Sequence, residues 1–273
     1  MRKYLPNTIR LIFLILFTIV TIYPFMLMVF VSFMTSADFI NNPLGLPSSF
    51  LNFENFELVF QRGRIIRAFF NSLLVASVAL TIQIIFGSLV GYALTKMGFV
   101  RAKLFTVLFL IPLILPPQII AVYLIFLRLG LLNTYFGLFI YYGAIGLPLV
   151  IFIFTSFTRT IPIQISECAF VEGASHLMIY TLIIMPLLKP VISTVIVISG
   201  LSIWNDFFGP LILITRSSLR TLPLTIFHFT GMYSANWPAI TACLVILVLP
   251  ILIVYVVLQK HIIGGVVAGS VKG

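Results

Sequence analysis

Six long apolar blocks, separated by short polar breaks, dominate the hydropathy pattern along the chain: roughly 10–34, 68–95, 104–127, 135–157, 187–215 and 239–259. A hydrocarbon core about 30 Å thick needs about 20 apolar residues per helix, and each block meets that length. Within the blocks there is no alternation. Leu11–Val20 and Ile240–Val257 are apolar at successive positions, whereas a barrel strand alternates over about ten. Only helices satisfy every backbone polar group inside their own segment, as lipid requires. The pattern predicts an all-α, polytopic membrane protein with six transmembrane helices. Arg2 and Lys3 precede the first block, as in a signal peptide. The apolar run to Met34 is too long for a signal core, and no small-x-small site follows. It is expected to stay as an anchor helix.

Composition supports this class. Of 273 residues, 61% are hydrophobic and 8% charged, where a soluble domain carries about 25% charged. The mean hydropathy is +1.22. So few charges cannot cover a globular surface, and such hydrophobicity excludes a disordered chain. Cys168 and Cys243 form no CxxC pair or zinc spacing, so no disulfide framework or metal site is implied.

The net charge of +10 does not point to nucleic acid, because the basic residues stand in ones to threes between apolar blocks. They report orientation instead. One set of segments holds ten: Arg2, Lys3, Arg10, Lys96, Arg101, Lys103, Arg159, Lys189, Lys260 and Lys272. The opposite set holds six: Arg62, Arg64, Arg67, Arg128, Arg216 and Arg220. The richer side is expected to be cytoplasmic, which places both termini inside. Three prolines, Pro112, Pro116 and Pro117, punctuate the third block. They predict a kink, either for packing or because the helix lines a path.

Catalytic chemistry is scarce. No HExxH, GxSxG or phosphate-binding GxxxxGK[ST] motif occurs. His176, His228 and His261 have no companion at ligand spacing, and Asp206 is the one acid inside a predicted span, so an intramembrane aspartyl protease lacks its second carboxylate. No 20–50-residue period is visible. Broken helices at matching positions of two halves are also absent, which disfavours a secondary carrier. The chain is expected not to be an enzyme and to hold no cofactor. Any energised work must be supplied by a partner.

The segment 159–190 stands apart. Pro162 suits a helix start, and Ile163, Glu167, Phe170 and Ala174 share one helical face. Gly173 permits a turn before a second short helix. Residues 160–188 carry two acids, Glu167 and Glu172, and no Lys or Arg. This disfavours an amphipathic helix resting on an anionic leaflet and favours docking to another protein. With no basic residue in its own stretch, Glu167 is expected to find its partner on another chain.

This segment resembles the cytoplasmic loop motif of ABC-importer permeases, E-A-A-x-x-x-G-A-x(8)-I-x-L-P. It stands here as Glu167-Cys168-Ala169, Gly173-Ala174 and Ile183-Ile184-Met185-Pro186, departing at Cys168 and Met185. Phe70-Asn71-Ser72-Leu73, Gly91-Tyr92-Ala93-Leu94, Leu129–Thr134, Trp204-Asn205-Asp206-Phe207 and the Gly-rich tail from Gly264 extend the likeness over nearly the whole chain, towards the carbohydrate-importing, maltose-type branch. The resemblance implies a single permease domain over 1–273 with a coupling loop at 159–190, in the plasma membrane of a bacterium or archaeon. It implies a second permease, two ATPase subunits carrying ATP and Mg²⁺, an extracytoplasmic sugar-binding protein, and alternating access. It assigns ATPase coupling to Glu167, Cys168, Ala169, Phe170, Glu172, Gly173 and Ala174.

The candidates for the translocation path are Trp204, Asn205, Asp206, Asn71, Gln83 and Gln118. An intramembrane acid marks a functional site by default, and Asn205 with Trp204 offers the hydrogen bonds and aromatic face a sugar needs. The competing reading is that Asn205 and Asp206 tie helices together near Gly209-Pro210. Other cargoes, a polyamine or a glycerol phosphate, fit the same machine. An ion-coupled carrier is the rival from another class.

Overall fold

The computed structural model describes residues 7–115, 118–231 and 235–270. Its helices are α1 (Asn7–Ser32), α2 (Ser36–Asn41), α3 (Glu54–Arg62), α4 (Ile65–Lys96), α5 (Phe99–Ile114), α6 (Ile119–Arg128), α7 (Tyr135–Thr158) and α8 (Ile163–Val171). There follow α9 (His176–Leu187), α10 (Lys189–Asn205), α11 (Phe208–Leu213), 3₁₀ turns at Ser217–Leu219 and Leu222–His228, and α12 (Trp237–Ser270). Among the described residues no β-strand forms; Thr230 and Ala235 make one isolated antiparallel bridge. The all-α expectation holds.

By length and composition α1, α4 and α7 are each long and apolar enough to cross a membrane. The α5–α6 and α9–α10 pairs raise the count to five if each bent pair is one span. The block expected over 104–127, with a kink at its prolines, is therefore two helices. Helix α5 runs through Pro112 and stops at Ile114, and Pro116 and Pro117 lie outside the described residues. The block expected over 187–215 is also interrupted. Asp206 leaves the helix in an extended conformation (φ −70°, ψ 124°), and its carboxylate takes the Phe208 and Gly209 backbone N–H groups at 3.0 and 3.4 Å. A side chain that bonds the backbone two and three residues ahead competes with the helical ladder. Asp206 thus sits at a break between α10 and α11, a correction to its placement inside a continuous span.

The chain divides into two compact units. The first is the chain up to Ile66 together with Thr225–Pro250. In it Asn55 of α3 donates both amide hydrogens to carbonyls at the end of α1, Ser32 (2.9 Å) and Met34 (2.8 Å), which would otherwise be orphaned. Phe33 packs against Phe50, Phe53 and Phe56. No residue in the apolar window of α1 is buried.

The second unit is Arg67–Leu224 with Ile251–Gly273. Two apolar clusters organise it. One gathers Val75, Ala79, Leu138, Tyr142, Ile203 and Leu213. The other gathers Tyr92, Val150, Phe154, Ala169, Ile179, Ile184 and Val191. Helices α4 and α7 approach closely where Gly91 lies: a Cβ there would stand 3.0 Å from the Thr155 backbone nitrogen. Small residues permit such backbone approach in membrane bundles, where van der Waals packing replaces the hydrophobic drive.

Candidate functional site

The motif segment folds as a short helix, a glycine turn and a second helix. Pro162 precedes the first turn of α8. The helix ends by a Schellman turn: Gly173 N–H bonds Phe170 C=O, and Ala174 N–H bonds Ala169 C=O, each at 3.0 Å. Gly173 has φ +90°, a conformation that side chains other than hydrogen strain to reach. Its constraint is conformational and not spatial, since a Cβ at Gly173 would meet nothing within 4 Å. Ser175 then caps α9, accepting from Met178 N–H at 3.3 Å.

Helix α8 has two dissimilar sides. Ser166 and Ala169 are buried, and Ala169 belongs to the cluster built on α4, α7, α9 and α10. Glu167, Cys168, Phe170 and Glu172 are exposed, and Val171 is 86% exposed. Phe170 stacks on His176 of α9 (5.3 Å between centroids, 20°), which ties the second helix to the first. The expected face of Ile163, Glu167 and Phe170 is present, but Ala174 is not on it. The helix ends at Val171, and Ala174 turns in to pack against the cluster beneath. Glu167 makes no ion pair among the described residues, although Lys96 of α4 lines the same groove. The basic neighbour comes from elsewhere in the sequence, which the local charge count could not reveal.

Helix α9 is π-helical over Ile179–Ile184 and meets α10 at a bend of 71°. Tyr180 hydrogen-bonds Ser88 of α4 (2.7 Å). The buried positions Ile184, Leu188, Val191 and Val195 carry one apolar face through the bend.

The translocation-path candidates do not gather at one place. Asp206 and Gln83 meet through Tyr142. The Tyr142 hydroxyl donates to Asp206 Oδ2 (3.0 Å), and Gln83 Nε2 donates to the Tyr142 carbonyl (2.7 Å). Asn71 lies in a separate network, donating to the Ser218 and Arg220 carbonyls (3.0 and 2.9 Å) and accepting from Tyr135 (2.6 Å). Gln118 is exposed before α6, on a cavity of about 380 Å³ that Pro112, Tyr141 and Pro148 also line. Trp204 is buried edge-on to Phe69 (5.7 Å), and Asn205 is exposed.

Tyr142 was invisible in the sequence as one aromatic in an apolar run. So was the work of Asn133, although it lies in the Leu129–Thr134 motif. Held at φ +58°, its Oδ1 accepts from Thr215 N–H (2.6 Å), Thr215 Oγ1 (2.8 Å) and Arg216 N–H (3.0 Å).

Helices long and apolar enough to cross a membrane, beside a short helix buried on one side and exposed on the other, fit a membrane protein. The chain belongs to the family of binding-protein-dependent transport system inner membrane components, which it matches over residues 83–267. It is thus a permease component of an ABC transporter, as the Glu167–Pro186 motif implied. It is 32% identical to a probable starch degradation products transport system permease protein, AmyC of Thermoanaerobacterium thermosulfurigenes, over 100% of both chains. It is 31% identical to the trehalose/maltose transport system permease protein MalG of Thermococcus litoralis, over 99% of each. Its fold is similar to a chain in the crystal structure of a bacterial ABC transporter involved in import of the acidic polysaccharide alginate (TM-score 0.83, 20% identity, 95% of this chain and 99% of that one).

Proposed function

We propose that the chain is the permease subunit of an ATP-driven importer of a sugar or oligosaccharide. The observation that carries this reading is α8: Ala169 is locked into the core while Glu167, Phe170 and Val171 face outward, in the sequence context of an ABC permease. A helix fixed on one side passes a displacement of its bare side to the spans beneath. That is what coupling to an ATPase demands. The named cargoes of relatives, starch degradation products and trehalose or maltose, support a carbohydrate. The family description supports an extracytoplasmic binding protein.

In this reading the six spans are α1, α4, α5 with α6, α7, α10 with α11, and α12, whose 34 residues exceed the length of a bilayer crossing. Both termini and α8 are cytoplasmic. A second permease completes the path, and two ATPase subunits hold ATP and Mg²⁺. ATP hydrolysis belongs to them. Asn205 is exposed to a passing solute, whereas Asn71, Gln83 and Asp206 are engaged in bonds that hold the path's walls.

Reconstitution tests the reading. The purified complex in proteoliposomes, with ATP on the ATPase side, should accumulate a labelled oligosaccharide only when its loaded binding protein is present. Accumulation of polyamine or glycerol phosphate instead would change the cargo. Uptake by this chain alone, driven by an ion gradient, would overturn the importer.

A further inference from the structure

A cavity of about 630 Å³ opens among the ends of α4, α5, α7 and α8. Three cations line it from three elements: Lys96 ends α4, Lys103 stands on α5 and Arg159 follows α7. None is in an ion pair among the described residues, and no described acid lines the cavity. The nearest, Glu167, opens onto the adjoining groove, which Lys96 also borders. The C-termini of α4 and α7 bring partial negative charge. The N-termini of α5 and α8, neither capped by a side chain, bring partial positive charge of similar size. The helix ends therefore nearly cancel, and the three full charges set the sign.

An independent feature points to a ligand. Tyr92 is 7% exposed and lines the cavity, and among the described residues its buried hydroxyl has only Ser166 beside it, with no well-formed hydrogen bond. A buried hydroxyl without a well-formed bond is costly, and an acceptor entering the cavity removes that cost. Lys96 Nζ rests over the same ring, 5.6 Å from its centroid, which holds that ammonium at the cavity. The remaining wall is largely apolar, and it continues along α5 past Val107, with Leu104 and Leu108 exposed on that helix.

We propose that this cavity binds the headgroup of an anionic phospholipid. The phosphate would sit among Lys96, Lys103, Arg159 and the Tyr92 hydroxyl, and an acyl chain would lie on α5. Phosphodiester is the shared chemistry with a small soluble phosphate, but the apolar wall favours the lipid. Basic pockets between cytoplasmic helix ends are suited to such headgroups. The site spans α4, α5, α7 and α8, so an occupant touches the coupling helix through its first turn. The inference rests on the membrane placement proposed above.

The test uses the full chain with the subunits that co-purify, in nanodiscs of phosphatidylcholine with or without phosphatidylglycerol, followed by lipid identification in native mass spectrometry. Wild type should retain phosphatidylglycerol after detergent extraction. The double variant Lys103→Gln/Arg159→Gln should retain roughly thirtyfold less, at about one kcal/mol per basic residue and 1.4 per decade. Tyr92→Phe, which keeps the ring, should retain several-fold less with unchanged subunit recovery. Equal retention in wild type and double variant would overturn the proposal. Displacement by millimolar inorganic phosphate would overturn it in favour of a small-anion site. Wild type purified without ATPase subunits would count against the importer, while lipid retention is scored on the chain itself.

Discussion

The Tyr142 hydroxyl and the Asp206 carboxylate, 64 positions apart in sequence, meet at 3.0 Å. The same carboxylate holds the first turn of α11. One side chain thus ends a helix, starts another and fastens both to α7. Interhelical hydrogen bonds in membranes are worth about 0.6 kcal/mol on average and at most about 1.7. Tyr142→Phe should therefore destabilise the purified complex by about 1 kcal/mol. Asp206→Ala, which also frees two backbone N–H groups, should cost about 2–3 kcal/mol. Thermal unfolding in detergent measures both. A loss of uptake in Asp206→Ala at unchanged stability would assign the carboxylate to the cargo.

Gly173 separates conformation from space. With φ +90° and nothing within 4 Å of a built Cβ, Gly173→Asn should be tolerated better than Gly173→Ala, and Gly173→Val least. The left-handed region costs a non-glycine residue roughly 1–2 kcal/mol, and Asn offsets part of this. ATPase stimulation by the loaded binding protein should fall in that order. Equal loss in all three would mean that bulk decides.

The two sides of α8 should respond differently. Val171→Asp and Glu167→Lys change exposed groups, so membrane insertion and chain stability should be unchanged while ATPase recovery falls. If Glu167 is half of a buried interfacial charge pair, its change should cost 2–5 kcal/mol of binding. Ala169→Leu overpacks the cluster below and should cost about 1–3 kcal/mol of fold stability. Co-purification and thermal scans on the same samples separate the two effects.

Orientation is checked by labelling. Single cysteines at Asn52 and Ser218 should react with an impermeant thiol reagent on intact cells, and one at Met97 should not. Labelling of Met97 from outside would invert the topology.

Asp38 supplies a pH handle outside the spans. Hydrogen bonds from the Ser48 hydroxyl and then the Thr35 N–H hold its carboxyl below the usual carboxylate range. A depressed folded-state value means the contribution is present above the ordinary carboxylate pKa and is lost as pH falls through the folded value. Ser48→Ala should flatten the acid limb of local stability around α2, read as hydrogen exchange at Thr35–Asn42. An unchanged acid limb would remove Ser48 as the cause.

The spans were legible because twenty apolar residues in a row have few other uses, and α4 and α7 lie within three residues of the expected blocks. The helix, turn and second helix of the segment 159–190 were legible because Pro162 and Gly173 punctuate it. The break at Asp206 was not. One acid in an apolar run reads alike whether it points into a helix bundle or competes for the backbone N–H groups ahead of it. Asn133 and Thr215 are 82 positions apart, and nothing local announces that one will hold the other. Lys96 beside Glu167 was hidden for the same reason.

The π-helical stretch Ile179–Ile184 acts as a vernier between α8 and the long helix α10 that follows. An α-helix turns by about 100° per residue, and a π-turn accommodates a surplus residue without passing that rotation on. The facing of α8 is therefore kept by the π-turn together with the packing of Ala169 and the Phe170–His176 stack. Deleting one residue in this stretch should draw it back to an α-helix and leave the facing of α8 unchanged, whereas a deletion within an α-helical turn of α10 would change that facing by about 100°.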